Sequence, residues 1–90
     1  MTESARPRLR RGVRLIVDRP SGRPILLGPE RALLLEGPAH AIVALLDGRR
    51  TLDEIVDALA ARAPRALVRA DVAAFLARLA ERRMIEGATG

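Results

Sequence analysis

His40 is the single histidine of this chain, and cysteine is absent. Those two facts restrict the chemistry the side chains can perform. Without cysteine there are no disulfides, no thiolate nucleophile and no Cys-based metal site. His40 has no second histidine with which to share a metal, and its ordinary role is that of a surface or interface residue. Ser4 and Ser21 fall in a polar stretch and a turn cluster, with no His–carboxylate pair nearby in sequence to activate a hydroxyl. Asp53, Glu54 and Asp57 cluster where a helical pattern begins, and there carboxylates complement the helix dipole without any active site. Gly28-Pro29-Glu30 has one glycine and lacks phosphate-loop spacing. An enzymatic function would rest on His40 alone, so the chain is expected not to be an enzyme.

Binding requires less specialised chemistry. The formal charge is +5, and every basic residue is arginine. A genome rich in G and C explains that usage; an acidic partner explains it too, because the guanidinium fork fits carboxylate and phosphate. Arg6, Arg8, Arg10 and Arg11 form the one cluster. Arg69, Arg78, Arg82 and Arg83 share a helical stretch that could act as a recognition helix on DNA. That stretch has no Asn, Gln or Lys to read bases, and Phe75 is the chain's sole aromatic residue for stacking. Nucleic acid is therefore not the expected partner.

These groups must be carried by a small scaffold. Ninety residues, 49% apolar and 30% charged, fit a single soluble globular domain rather than a disordered chain. With one aromatic the core must come from Leu, Ile, Val and Ala, and help from self-association or a partner is expected. No apolar run approaches the roughly 20 residues of a membrane span. The basic N-terminus is not followed by the apolar stretch of a signal peptide, so the expected location is the cytoplasm.

The organisation is readable from periodicity and punctuation. Residues 1–8 are polar, contain Pro7 and read as a flexible basic arm; 9–86 form one domain, and 87–90 a tail. Gly12 to Asp18 alternates as a half-buried strand, Arg19-Pro20-Ser21-Gly22 is a turn, Pro24 to Leu27 a second strand and Ala32 to Leu35 a third. Pro38 opens a helix with Ile42, Leu45 and Leu46 on one face and Gly48 as its C-terminal cap. Thr51-Leu52-Asp53-Glu54 is a capping box, followed by Leu52, Ile55, Val56 and Leu59 at helical spacing until Pro64. A third helix runs from about Val68 to Arg83, with Val68, Val72, Phe75, Leu76 and Leu79 along one stripe. The predicted fold is α+β: an N-terminal three-stranded antiparallel sheet followed by a three-helix bundle, winged-helix-like.

Ala32-Leu33-Leu34-Leu35 is the informative strand, being apolar on both faces. One face must close the core. The remainder, with its backbone edge, suits an extended peptide added as a further strand. The same edge can pair with a second copy, so a homodimer is also compatible with the sequence.

Four blocks carry a resemblance over roughly Pro7 to Ile85. They are Pro7-x-Leu9-x-Arg11-Gly12-Val13-Arg14-Leu15, Leu26-Leu27-Gly28-Pro29-Glu30-Arg31, Leu45-x-Asp47-Gly48-x-Arg50-Thr51 and Asp71-Val72-x-x-Phe75-Leu76-x-x-Leu79. Together they resemble the PqqD family of pyrroloquinoline quinone biosynthesis. The resemblance implies a non-catalytic, cofactor-free chaperone that binds the precursor peptide PqqA and presents it to the radical S-adenosylmethionine enzyme PqqE. That enzyme joins a glutamate and a tyrosine side chain by a carbon–carbon bond. It also implies a binding site: the peptide lies along Arg31, Ala32, Leu33, Leu34 and Leu35, facing Arg69, Val72, Ala73 and Leu76 of the third helix. His40 departs from the family pattern, where a small or polar residue is expected. Recognition domains of other ribosomal-peptide pathways share the fold, but the Arg11-Gly12-Val13-Arg14-Leu15 block favours the quinone pathway.

Overall fold

The computed structural model describes residues 2–61 and 63–87; the expected tail beyond Gly87 lies outside them. Strands β2 (Arg14–Val17), β3 (Pro24–Leu27) and β4 (Ala32–Leu34) form an antiparallel meander in the order β2-β3-β4, as three short strands joined by tight turns predict. The β2–β3 turn is held by Asp18, whose carboxylate accepts from the Ser21 hydroxyl at 2.6 Å. At the β3–β4 turn the Gly28 N–H donates to the Arg31 carbonyl at 2.7 Å. The register aligns Leu15, Leu26 and Leu33 across the sheet. Leu26 in this row is fully buried and belongs to the core, against which Leu15 and Leu33 pack. Ile16, Ile25 and Leu34 form the neighbouring row on the opposite face.

Helices α1 (Ala39–Ala44), α2 (Leu52–Leu59) and α3 (Arg65–Glu81) follow. Leu52, Ile55 and Val56 of α2 meet Val72, Phe75, Leu76 and Leu79 of α3 in one buried cluster. The predicted capping box is present: the Glu54 N–H donates to the Thr51 hydroxyl at 3.1 Å, and the Thr51 N–H to the Glu54 carboxylate at 3.0 Å. Strands β2 and β4 are shorter than expected by a residue or two at their ends, and the helix boundaries differ as well. α1 ends at Ala44 with Leu45 as its C-cap, so Gly48 is not its cap. Gly48 instead takes φ +74° in the following turn and donates to the Pro7 carbonyl at 3.1 Å. α3 starts at Arg65, ahead of the predicted Val68, although a cation is unfavourable at a helix N-terminus. Ion pairs from Arg65 to Asp53 and Asp57 of α2 offset that cost.

The segment expected to be a flexible arm is packed into the domain. Ala5 and Pro7 are buried. The Leu52 and Asp53 N–H groups, which begin α2 and have no intrahelical acceptor, donate to the carbonyls of Ala5 (2.8 Å) and Glu3 (3.2 Å). Strand β1 (Arg8–Leu9) then pairs antiparallel with β5 (Ile85–Glu86), and Arg8 forms an ion pair with Glu86 at 3.0 Å. The polar composition of this segment concealed its role, because the groups it satisfies are backbone donors.

This packing sets the cost of substitutions at Thr51, Leu26 and Leu34. Thr51→Ala removes the cap and should cost about 1 kcal/mol, lowering Tm by roughly 4–8 °C for a domain of this size. Hydrogen bonds from the Thr51 N–H and hydroxyl hold the Glu54 carboxyl below its ordinary value of 4.5. Glu54 thus binds fewer protons folded than unfolded. Its contribution is fully present above that ordinary value and is lost as pH falls through the lower folded pKa. The Thr51→Ala variant should show a flatter acid limb in Tm against pH. Leu26→Ala should cost about 2–5 kcal/mol by urea denaturation. Leu34→Ala should cost about 1 kcal/mol or less, since Leu34 is 40% exposed.

Candidate functional site

The hydrogen bonds at the two ends of the β3–β4 ladder determine which backbone groups of β4 are available. At one end the Leu35 N–H donates to the Pro24 carbonyl at 3.0 Å; at the other Gly28 is bonded to Arg31. Bonded and non-bonded pairs alternate in an antiparallel ladder. With the register Leu26↔Leu33 and Leu27↔Ala32, Arg31, Leu33 and Leu35 turn their backbone groups toward β3. Ala32 and Leu34 therefore point their N–H and C=O groups away from the sheet. β4 is an edge, with no further strand paired beyond it among the described residues.

Beside this edge lies a cleft of about 160 Å³ between β4 and α3. Leu33, Leu34, Phe75, Arg78 and Arg82 line it, with Glu36 and Ala39 at one end. The Arg78 guanidinium carbon stands 5.6 Å from the centre of the Phe75 ring, within cation–π range. The cleft thus combines an apolar wall, an aromatic edge and two cations.

The sequence-predicted residues divide. Arg31, Ala32 and Leu34 are exposed along the edge, and Leu33 is half-buried in the cleft wall. Leu35 is in the core. On α3 the expected face was Arg69, Val72, Ala73 and Leu76. Val72 and Leu76 are instead buried in the core, Ala73 is half-buried, and Arg69 is paired with Glu3 at 2.8 Å. The structure places the Phe75–Arg78–Arg82 side of α3 next to β4. A helix stripe has two flanks, and periodicity alone cannot say which one faces the strand. The available signal was Phe75, the only aromatic residue, with Arg78 three residues on, where helical neighbours meet.

The rival sites are less organised. His40 is exposed on α1, and no group of three His, Asp or Glu residues is placed to hold a metal among the described residues. Of the four arginines offered for DNA, Arg69 and Arg78 stand nine residues apart on α3, which puts them on roughly opposite sides of the helix, and Arg69 is tied to Glu3. No helix among the described residues is long and apolar enough to cross a membrane.

Comparison with known proteins agrees with this architecture. The family model for coenzyme PQQ synthesis protein D (PqqD) matches residues 24–85. A PqqA binding protein of Rhizobium meliloti is 44% identical over 81 residues, covering 88% of this chain and 83% of that protein. The bifunctional coenzyme PQQ synthesis protein C/D of Methylorubrum extorquens is 42% identical over 82 residues. The match covers 89% of this chain but only 22% of that longer protein. Among solved structures, the NMR structure of the PqqD portion of Methylobacterium extorquens PqqCD superposes with a TM-score of 0.79 at 40% identity, covering 94% of this chain and 93% of that one. It is described as a functional, stand-alone recognition element for ribosomally synthesised, post-translationally modified peptides. The crystal structure of PqqD from Xanthomonas campestris matches with a TM-score of 0.57 at 33% identity, covering 92% of this chain and 94% of that one. A family match over most of the chain, a relative of similar length and a shared fold lead to one conclusion: the chain belongs to the PqqD family.

Proposed function

We propose that this protein is a non-catalytic peptide chaperone of pyrroloquinoline quinone biosynthesis that binds the precursor peptide PqqA by strand addition at β4. The observation that carries the proposal is the outward direction of the Ala32 and Leu34 backbone groups at an uncapped sheet edge. An extended peptide can exchange main-chain hydrogen bonds with them. Its side chains on the helix side then enter the cleft walled by Leu33 and Phe75. Relatives named PqqA binding protein support the identity of the ligand. The bound precursor is then presented to the radical S-adenosylmethionine enzyme PqqE. The chaperone's part is to hold the peptide, and the bond-forming chemistry belongs to the enzyme. The β1–β5 ribbon beside three helices supports a winged-helix-like layout, here with the sheet edge, not the helix, as the binding element.

Titration of isotope-labelled protein with PqqA tests the site directly. Amide shifts are expected along residues 31–35 and at Phe75, Arg78 and Arg82; shifts confined to α1 and α2 would sink the proposal. Leu34→Pro removes an N–H that the β3–β4 ladder does not use. It should weaken PqqA binding by about tenfold or more, the equivalent of at least one main-chain hydrogen bond. Leu34→Ala, which keeps that N–H, should weaken it less. Heteronuclear spectra of the free variants check that the fold persists.

A further inference from the structure

A second cavity, of about 500 Å³, opens where the chain between β1 and β2, the Gly28–Arg31 turn and the C-terminal end of α3 converge. Arg10, Arg11, Arg31, Arg82 and Arg83 line it, against Glu30 and Glu81. Its floor is apolar: the Met84 and Val13 side chains each lie 3.7 Å from where a Cβ on Gly28 would stand. The ion pairs among the described residues engage Arg8, Arg50, Arg65 and Arg69, and none of the five cavity arginines. Arg82 also lines the β4 cleft, which makes the two hollows neighbours along one track.

Arg83 adds an independent observation. It is the only residue other than glycine with positive φ (56°) among the described residues. Its position is the one just past α3. There the Met84 N–H reaches back to the Leu79 carbonyl (2.9 Å) and the Arg83 N–H to that of Ala80 (3.0 Å). This is the helix-ending geometry in which glycine is favoured, because a side chain in the left-handed region is strained. An arginine occupies the position despite that cost, and it is one of the residues lining the cavity.

We infer that this cavity receives carboxylate side chains of the bound peptide, from residues flanking the stretch that pairs with β4. The inference rests on the strand-addition proposal and names the chemistry that would select the ligand. Guanidinium forks over an apolar floor suit single carboxylates. The two glutamates oppose a polyphosphate, and no aromatic side chain lines the cavity to stack on a base. β4 runs from Arg31 at the cavity toward Leu34 in the cleft. A strand added antiparallel, like every pair in this sheet, would therefore carry its carboxylates on the C-terminal side of the docked residues.

The test is a double-mutant cycle on the full chain. PqqA and versions with Glu→Gln or Asp→Asn at either end of the docked stretch are titrated into the wild type and into Arg11→Gln and Arg83→Gly. Arg83→Gly should leave Tm unchanged or higher while weakening binding of the parent peptide by about tenfold. Neutralising the flanking acid should weaken binding to the wild type by a similar factor, and to the variant by little more. If the parent binds with the expected strand shifts but the neutralised peptides bind equally well, the cavity assignment is overturned and strand addition stands. If the parent does not bind at all, both fall. A short oligonucleotide that binds more tightly than the peptide and is lost with Arg83→Gly would also overturn the carboxylate assignment.

Discussion

The register of β3 against β4 is the constraint on which the rest of the surface depends. It is fixed from the inside. Leu26 and Leu35 must both reach the core, and Leu33 must pack against it. A slip of one residue would send the inward side chains of β4 into solvent. The same slip would exchange the backbone groups that face β3 for those that face away. Core burial of a few leucines thus decides which N–H and C=O groups are left on the outside. Pro24 has no N–H, so its pairing with Leu35 rests on one hydrogen bond. The free edge is consequently short, running from Ala32 to Leu34, and its two outward residues are determined by packing on the opposite side of the strand.

The doubly apolar appearance of Ala32 to Leu35 has a divided explanation in the structure. Leu35 is core, Leu33 forms the wall between core and cleft, and Leu34, at the rim of the cleft, continues the row of Ile16 and Ile25 on the opposite face of the sheet. The sheet is therefore covered on one side only. In so small a chain α3 can seal one face of the meander. It cannot also close the gap at the β4 edge, where Phe75 is the largest side chain available. The cleft arises because a helix and an edge strand of limited bulk meet without filling the space between them.

The elements were legible where local chemistry determines them. Thr51 and Glu54 are close in sequence and cap the same helix; alternation locates β2, and turn residues bound the apolar runs of β3 and β4. What escaped depends on contacts between distant residues. The Glu3–Ala5 stretch has no periodicity; it is ordered because its carbonyls meet the first donors of α2. β5 is too short to show a pattern and exists because β1 lies alongside it. Arg65 reads as a poor helix start until Asp53 and Asp57 are brought opposite it. At the proposed site, β4 could be located from composition as an apolar strand. The facing side of α3 could not, because Val72, Phe75, Leu76 and Leu79 make one buried stripe whichever flank faces β4.

Arginine usage also acquires structure. Arg8, Arg50, Arg65 and Arg69 each stand against a carboxylate on the surface, where such pairs contribute little to stability. Those contacts do, however, occupy Glu3, Asp47, Asp53, Asp57 and Glu86, most of which lie near α2 and the β1–β5 ribbon. The arginines around the end of α3 and the Gly28–Arg31 turn have Glu30 and Glu81 as their neighbours in the cavity. Main-chain pairing at a strand edge accepts nearly any sequence, so selectivity has to come from side chains on either side of it. The cleft can reward an apolar residue, and a concentration of guanidinium groups can reward an acidic one. On the strand-addition proposal, a short edge bounded by these two different environments would distinguish one extended peptide from another where main-chain hydrogen bonds alone would not.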